Sequence, residues 1–466
     1  MKNERFKGYD KETREAVLNF ERNEQEGSSG YYDEEVLEMI IDFYLDSGEI
    51  EMLETAVGYG LRLYPQSCDM RLRHSHLLCV KGEYAKALHI LEELEATEPG
   101  NCDVLYALGA VHSALDEPRQ AIDYYEQAMA DGYDLATICG NIGDEYANMG
   151  MHDKAVEYYK RSIDYDSHEE RSLDNLGASL EAENRGSEAV DYFERFVKEE
   201  PYSRMGWYSL ASAYYAELKL DKAVEAFQYA LAIDDTFTDA YIGLADCYRA
   251  MSKTSQAVET LREMLPHTTD KSMVYHNIAC VYQEADNLDT AIIYHKKAID
   301  EAPYFAQYWT ETAFCFLYLG DHGNAMDYAE RGAHLDPQSG YCLWSAGHIF
   351  AQCHNDEQAV EYYEIAVALC KDDENVWIEY ADLLMRMERY ADAIDLLHEG
   401  LPHCQQAYSF YARLAVCYYK TGQRNFLGNA LRACMQYKDT YGLSMLFILC
   451  PEMENDIDVI NTIYDE

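Results

Sequence analysis

The sequence predicts an all-α protein, a solenoid of helix-turn-helix units, and three observations carry that reading. Ten alanines stand 34 residues apart: Ala87, Ala121, Ala155, Ala189, Ala223, Ala257, Ala291, Ala325, Ala359 and Ala393. A fixed period of this size marks a repeat array. Counted from residue 34, twelve units of 34 tile residues 34–441 without insertion. Within each unit the apolar positions recur at three- and four-residue spacing, which gathers them on one face of a helix.

The first helix of the unit is read from positions 4, 7, 8 and 11. Position 4 carries Trp207, Trp309 and Trp377, with Tyr241, Tyr275 and Tyr411 in other copies. Position 8 is glycine or alanine in ten of the twelve units, and position 11 is aromatic in eight, Tyr44, Tyr214 and Phe316 among them. A turn follows, often with glycine at position 15, as in Gly82, Gly150, Gly320 and Gly422. The second helix repeats the stripe near positions 17, 20, 24 and 27, as in Tyr84, Ala87, Leu91 and Leu94. Positions 8 and 20 are expected to be small because the two helices touch there, where overpacking costs about 1–3 kcal/mol. Proline at position 32 (Pro65, Pro99, Pro201, Pro303 and Pro337) ends the unit, since it cannot continue a helix. One such pair cannot bury its own apolar stripe, so stacked neighbours supply the core.

The stretch Trp207-Tyr208-Ser209-Leu210-Ala211, with Tyr214, Ala223 and Phe227, resembles the tetratricopeptide repeat. The resemblance covers about seven-eighths of the chain. It implies a right-handed α-α superhelix that binds proteins rather than one that performs chemistry. The stretch Phe447-Ile448-Leu449-Cys450-Pro451-Glu452-Met453-Glu454 resembles the ending of long acidic tetratricopeptide proteins of Bacteroidetes-type bacteria.

Residues outside the period are expected to form ends. Residues 1–33 read as an extension with a short helix over Asp10–Glu21, striped by Ala16, Val17 and Phe20, and a flexible link over Asn23–Gly30. Residues 442–466 read as a capping helix, begun by the apolar run Leu443–Cys450, and an acidic tail. The N-terminus Met1-Lys2-Asn3-Glu4-Arg5 has no apolar stretch behind it, so no export signal is expected and a cytoplasmic location is. No run of 18 apolar residues exists, so no membrane insertion is expected.

Composition limits the partners. There are 85 acidic against 37 basic residues, a net charge of −48. That disfavours nucleic acid and anionic membrane surfaces, whose phosphates call for lysine and arginine. It leaves open a merely solvated surface or a charge suited to a basic partner. The fourteen cysteines scatter without a Cys-x-x-Cys pair and read as reduced thiols packed as small apolar residues. There is no phosphate loop, dinucleotide fingerprint, zinc-protease motif or EF-hand, and His74 and His76 point in different directions on a helix. The chain is therefore read as a non-enzyme with no cofactor and no metal.

Binding must come from a surface. At 100° per residue, positions 2, 5, 9, 12 and 13 of the first helix point away from its packing stripe. In the family it resembles, these positions line the concave groove that receives peptides or protein segments. Carried onto this chain, the first four units place seven acids and no base there: Glu35, Glu38, Asp42, Asp46, Asp69, Asp103 and Asp144. The last four place one acid, Asp382, two bases, Arg386 and Lys420, and five aromatics: Phe314, Tyr318, Tyr341, Trp344 and Tyr419. Ile378 and Met385 extend that apolar group, and Tyr208, Tyr215, Asp239, Asp246 and Arg249 bridge the middle. The aromatic rings could pack on neighbouring units or contact a partner. Asp42, Asp144, Asp246 and Asp382 at position 9, with no lysine at position 5, argue against a clamp for a C-terminal carboxylate.

The expected function is a non-catalytic scaffold holding a protein segment that is basic toward the N-terminal units and carries apolar anchors toward the C-terminal ones. The alternative is a structural subunit or assembly factor that docks or self-associates through its ends. The oligomeric state is left open.

Overall fold

The structure is a computed structural model that describes residues 4–6, 8–27, 30–130, 133–404, 407–436, 441–457 and 459–460. It forms two bodies, Met1–Asp235 and Thr236–Glu466. Each is a row of antiparallel helix pairs, and no strand occurs among the described residues. The N-terminal body runs from the pair Glu34–Ser47 and Ile50–Leu63 to the pair Arg204–Ala216 and Leu220–Ile233. The C-terminal body runs from Thr238–Ala250 and Thr254–Met264 to Ala407–Lys420 and Arg424–Gln436. Every 34-residue unit holds one pair, so the period sets the register of the whole array. The fold class is all-α, as the period predicts. No helix among the described residues is long and apolar enough to cross a membrane.

The turn inside each pair is the same device twelve times. Position 15 takes a left-handed backbone in all twelve units, with φ between 56° at Asn184, Leu218 and Ser252 and 76° at Gly320. The amide of position 16 then donates to the carbonyl of position 11, as in Glu83 to Leu78 and Met151 to Tyr146, both at 2.8 Å. This is the glycine-type helix stop that satisfies otherwise orphaned carbonyls. Only five units supply glycine; Asp116, Asn184, Leu218, Ser252, Asp286, His354 and Glu388 bear the same φ with a side chain.

The ten alanines of the ladder are all buried, nine of them fully and Ala189 with 3% exposure. The glycine at position 8 has a different reason from mere helix contact: it receives an aromatic ring from position 24 of the same unit. A Cβ at Gly109 would lie 2.5 Å from Tyr125, and one at Gly143 would lie 2.6 Å from Tyr159. Tryptophan at position 4 ties successive units together. The indole Nε1 of Trp207, Trp309 and Trp377 donates to the carbonyl of Pro201, Pro303 and Lys371 respectively, each at 3.0 Å and each at position 32 of the preceding unit. All fourteen cysteines are free, seven buried and seven half-buried.

The N-terminal helix spans Lys11–Glu26, capped by Asp10, whose side chain accepts from the Thr13 amide at 2.8 Å. It continues past Glu21, so Asn23–Glu26 belongs to this helix and not to a link; residues 28 and 29 lie outside the described residues. The extra turns hold because Gly27 adopts the left-handed stop and returns its amide to Asn23 and Glu24. Phe20 packs with Tyr44 and Tyr59 of the first unit, and Phe6 stacks on Phe43 at 5.1 Å. At the C-terminal end, Tyr441–Leu449 is helical and a short 3-10 turn covers Pro451–Asn455. Leu446, Cys450 and Met453 join the C-terminal core, while residues 458 and 461–466 of the acidic tail lie outside the described residues.

Candidate functional site

In much of each body the first helix of one unit packs on the first helix of the next, so their outward positions line up along one face. Position 5 lies deeper than its helical angle alone implies in several units, Leu72, Thr310 and Ala412 being 7%, 1% and 0% exposed, while Asp174 is exposed. The neighbouring first helix covers the buried ones. Positions 9, 12 and 13 supply most of the open part of the face, Ala351 and Val416 being buried exceptions.

That face is organised by a link the sequence reading missed. Position 9 of one unit meets position 6 of the next, 31 residues on. Asp42 receives Arg73 through two bonds, Nε to Oδ1 at 3.0 Å and Nη2 to Oδ2 at 2.8 Å, and Glu38 lies 3.3 Å from the same guanidinium. Asp144 accepts from Asn175 Nδ2 at 2.8 Å and from the Tyr159 hydroxyl at 2.8 Å, with Arg171 at 3.1 Å. Asp382 receives Arg413 at 2.8 and 2.7 Å. His348 Nδ1 pairs with Glu379 at 3.0 Å. A charged or amide residue at position 6, outside the packing stripe and next to the outward positions, was the available signal: Arg73, Asn175, Glu311, Glu379 and Arg413 all stand there.

Several of the expected groove acids are thus already engaged. Glu34, Glu38 and Asp69 bring carboxylate oxygens within 4.8 Å of one another. Burial pushes the Glu38 carboxyl up, Arg73 pulls it down, and the charges of Asp69, Asp42 and Glu34 push it up again, leaving it raised. Asp46 accepts from the Tyr9 hydroxyl at 2.8 Å, so the N-terminal extension reaches this edge of the face. Asp103 is exposed in the first turn of Cys102–Ala114. Asp246 binds Arg249 Nη1 at 2.7 Å, and Arg249 Nε reaches Glu284 at 3.0 Å. Burial still raises the Asp246 carboxyl above its ordinary value despite Arg249.

The aromatic residues divide. Tyr208 is half-buried edge-on against Phe227 at 5.7 Å, whereas Tyr215 is exposed. Met385 and Ile378 pack half-buried on the C-terminal core. Phe314, Tyr318, Tyr341 and Trp344 come together as one patch. Phe314 lies 6.4 Å from Tyr318 and 6.3 Å from Trp344, and Tyr341 lies 6.0 Å from Trp344. His348 completes the cluster, 6.1 Å from Phe314 and 5.8 Å from Trp344. Tyr318 is 65% exposed and Tyr341 41%. Beneath them one oxygen of Glu379 accepts from Trp344 Nε1 at 3.0 Å and the Tyr363 hydroxyl at 2.9 Å besides meeting His348. Burial would raise this carboxyl, but His348 and the two donors outweigh it and hold it low. The patch is therefore fixed from below and open above.

Hollows interrupt the face in both bodies. In the N-terminal body Ala178 and Ser209 occupy the linked positions, too small to meet, and leave a cavity of about 130 Å³ with the Ser209 hydroxyl unpaired. In the C-terminal body a cleft of about 690 Å³ opens beside the aromatic patch, lined by Arg249, His276, Cys280, Glu284, Glu311 and Tyr318 among others. His276 is pushed down by burial and then by Arg249, and Cys280 is pushed up to about 11, mainly by burial. At about 11 the Cys280 thiol stays protonated near neutral pH and is not activated as a nucleophile.

Family models described as tetratricopeptide repeat match residues 104–135, 136–169, 175–237, 214–276, 274–305 and 345–376. No curated protein matches the chain. Among solved structures, a tetratricopeptide repeat protein from Parabacteroides merdae is 19% identical, with 50% of this chain and 92% of that one covered and a TM-score of 0.39. The Cut9-Hcn1 hetero-tetramer of the APC/C is 14% identical over 87% of this chain and 93% of that one, with a TM-score of 0.37. MamA is 26% identical over 36% of this chain and 98% of that one, with a TM-score of 0.31.

Proposed function

We propose that this tetratricopeptide-repeat protein is a non-catalytic scaffold that captures a protein segment on its first-helix face, with the aromatic patch of the C-terminal body as the anchor site. The gathering of Phe314, Tyr318, Tyr341 and Trp344 carries the reading. Rings left in water forgo the stabilisation of burial, and exposed tyrosine and tryptophan are enriched where interfaces gain most of their affinity. The support from Glu379 fixes the indole and imidazole in place, so little side-chain freedom is lost on binding. The net charge of −48 favours a segment with basic character.

Panning a library of displayed natural peptides against the full chain tests this. Enriched peptides should bind the wild type and lose at least tenfold in affinity to the double variant Tyr318→Ala with Tyr341→Ala. The control is Tyr304→Ala, which removes a ring that is 86% exposed at a junction between units. Absence of any enriched peptide, or equal affinity of the double variant and the control, would sink the proposal.

A further inference from the structure

Glu311 breaks the charge pattern of the linked positions. At the other charged links a carboxylate is matched by a basic side chain from the adjoining unit: Asp42 by Arg73, Asp382 by Arg413, Glu379 by His348. Glu311 stands at position 6 opposite Cys280 at position 9, a thiol that stays protonated at neutral pH because burial raises it to about 11. No basic side chain pairs with Glu311 among the described residues. Its donor among the described residues is the Tyr341 hydroxyl, 2.7 Å from Oε1, a neutral group that leaves the charge uncompensated. The carboxylate is half-buried and borders the 690 Å³ cleft. A half-buried charge without a counter-charge is costly, and the cost is relieved by any cation that can reach it.

The surroundings of Glu311 suit a particular cation. Phe314 and Tyr318 follow it by three and seven residues, so all three side chains share one helix face. Tyr341 holds the carboxylate from the next unit. Arg249, which lines the cleft beside them, is bound to Asp246 and Glu284. An incoming side chain thus meets a carboxylate at one end and stacked rings along its length.

We propose that Glu311, Tyr318, Phe314 and Tyr341 form a subsite for an arginine side chain of a partner segment. A guanidinium can take the carboxylate through its planar fork while lying against the exposed Tyr318 ring. This deepens the scaffold reading and rests on it, and it changes the segment expected at the C-terminal units: a basic residue belongs among the apolar anchors, not only toward the N-terminal units.

An array of twelve-residue peptides, random except for one central residue fixed as arginine, citrulline or leucine, separates the two claims. The full chain is applied at about 0.15 M salt, where charges beyond roughly 8 Å are screened. Arginine peptides should bind at least tenfold better than citrulline ones, which keep the shape and lose the charge. That preference should vanish in Glu311→Gln, fall several-fold in Tyr318→Ala, and persist in Glu301→Gln, which removes an exposed charge from an outer helix. Equal arginine preference in Glu311→Gln and Glu301→Gln overturns the subsite and leaves segment capture standing. Failure of every peptide to bind overturns both. Unchanged thermal unfolding of Glu311→Gln excludes misfolding as the cause of a loss.

Discussion

The first-helix faces of the two bodies look opposite by composition and prove opposite in another way once their contacts are drawn. The N-terminal face carries the larger count of acids, yet Glu38, Asp42 and Asp144 are held by Arg73, Arg171 and Asn175 from adjoining units. The C-terminal face carries few acids and many rings, yet it presents Glu311 without a base. Internal pairing, not the tally of residues, decides which charge is left for a partner. A repeat protein makes this easy to see, because the same two positions recur and each occupant can be judged against its counterparts.

The strongest way to test that contrast is to remove the same acid from each body. Arg413 has only 7% of its side chain exposed and takes Asp382 through two bonds while also donating to the Ser409 hydroxyl at 2.8 Å. Asp382→Ala leaves that guanidinium buried and unmatched, at a cost of about 3 kcal/mol. Arg73 and Asp42 have the same fork geometry, but Arg73 is more exposed, at 15%, and keeps Glu38 at 3.3 Å when Asp42 is lost. Asp42→Ala should therefore cost about 1 kcal/mol or less. Hydrogen exchange in the helices Glu374–Arg386 and Glu34–Ser47 reads each loss locally, which suits an array whose units open separately. Equal losses would show that the link has one strength throughout.

A smaller effect is expected at Glu145, beside Asp144 in the chain and different from it in every other respect. Asp144 is matched by donors; Glu145 is 4% exposed, and its carboxyl is raised by burial, with Asp144 and Asp116 adding to the rise against a hydrogen bond with Ser113. A carboxyl raised on folding favours the folded state while it is protonated and costs stability once pH climbs past its ordinary value. Glu145→Gln should accordingly gain about 1–2 kcal/mol near pH 7 and little near pH 3, well below the ordinary value, where the wild-type group is protonated in both states. Thermal unfolding at the two pH values checks the sign, and a gain confined to low pH would contradict it.

The helices, their pairing and their boundaries were legible because a period of 34 repeats one packing problem twelve times, and errors in one copy are corrected by the others. Two things were not. The length of the N-terminal helix has no second copy to calibrate it, and Asn23–Glu26 read as polar link residues although Gly27 closes the helix after them. The face was read from helix angles alone, which place position 9 outward but do not reveal that position 6 of the next unit reaches it. Arg73 and Glu379 were passed over for that reason, and so was the fixing of Trp344 from below. The clustering of Phe314, Tyr318, Tyr341 and Trp344 was legible in kind, since helix spacing groups them in two pairs, but the approach across units needed coordinates.

What the two bodies share gives the smallest and cleanest test, because it should alter stability while leaving the faces alone. Position 15 is left-handed in every unit, whatever residue stands there, so the turn is imposed by the helix stop and the packing on either side of it. Leu218 is the least suited occupant: φ is 56°, the side chain is 80% exposed, and leucine has no polar group to bond its own backbone there as Asp116 or Asn184 can. Leu218→Gly removes the steric cost of about 1 kcal/mol, partly offset by the greater freedom glycine has when unfolded. Asp116→Gly should gain less, since an aspartate tolerates this backbone better. Denaturant midpoints of the two variants measure the difference, and peptide capture should be unchanged in both. If Leu218→Gly were neutral or destabilising, the turn would depend on its side chain, and the twelve turns could no longer be treated as one device against which the two faces differ.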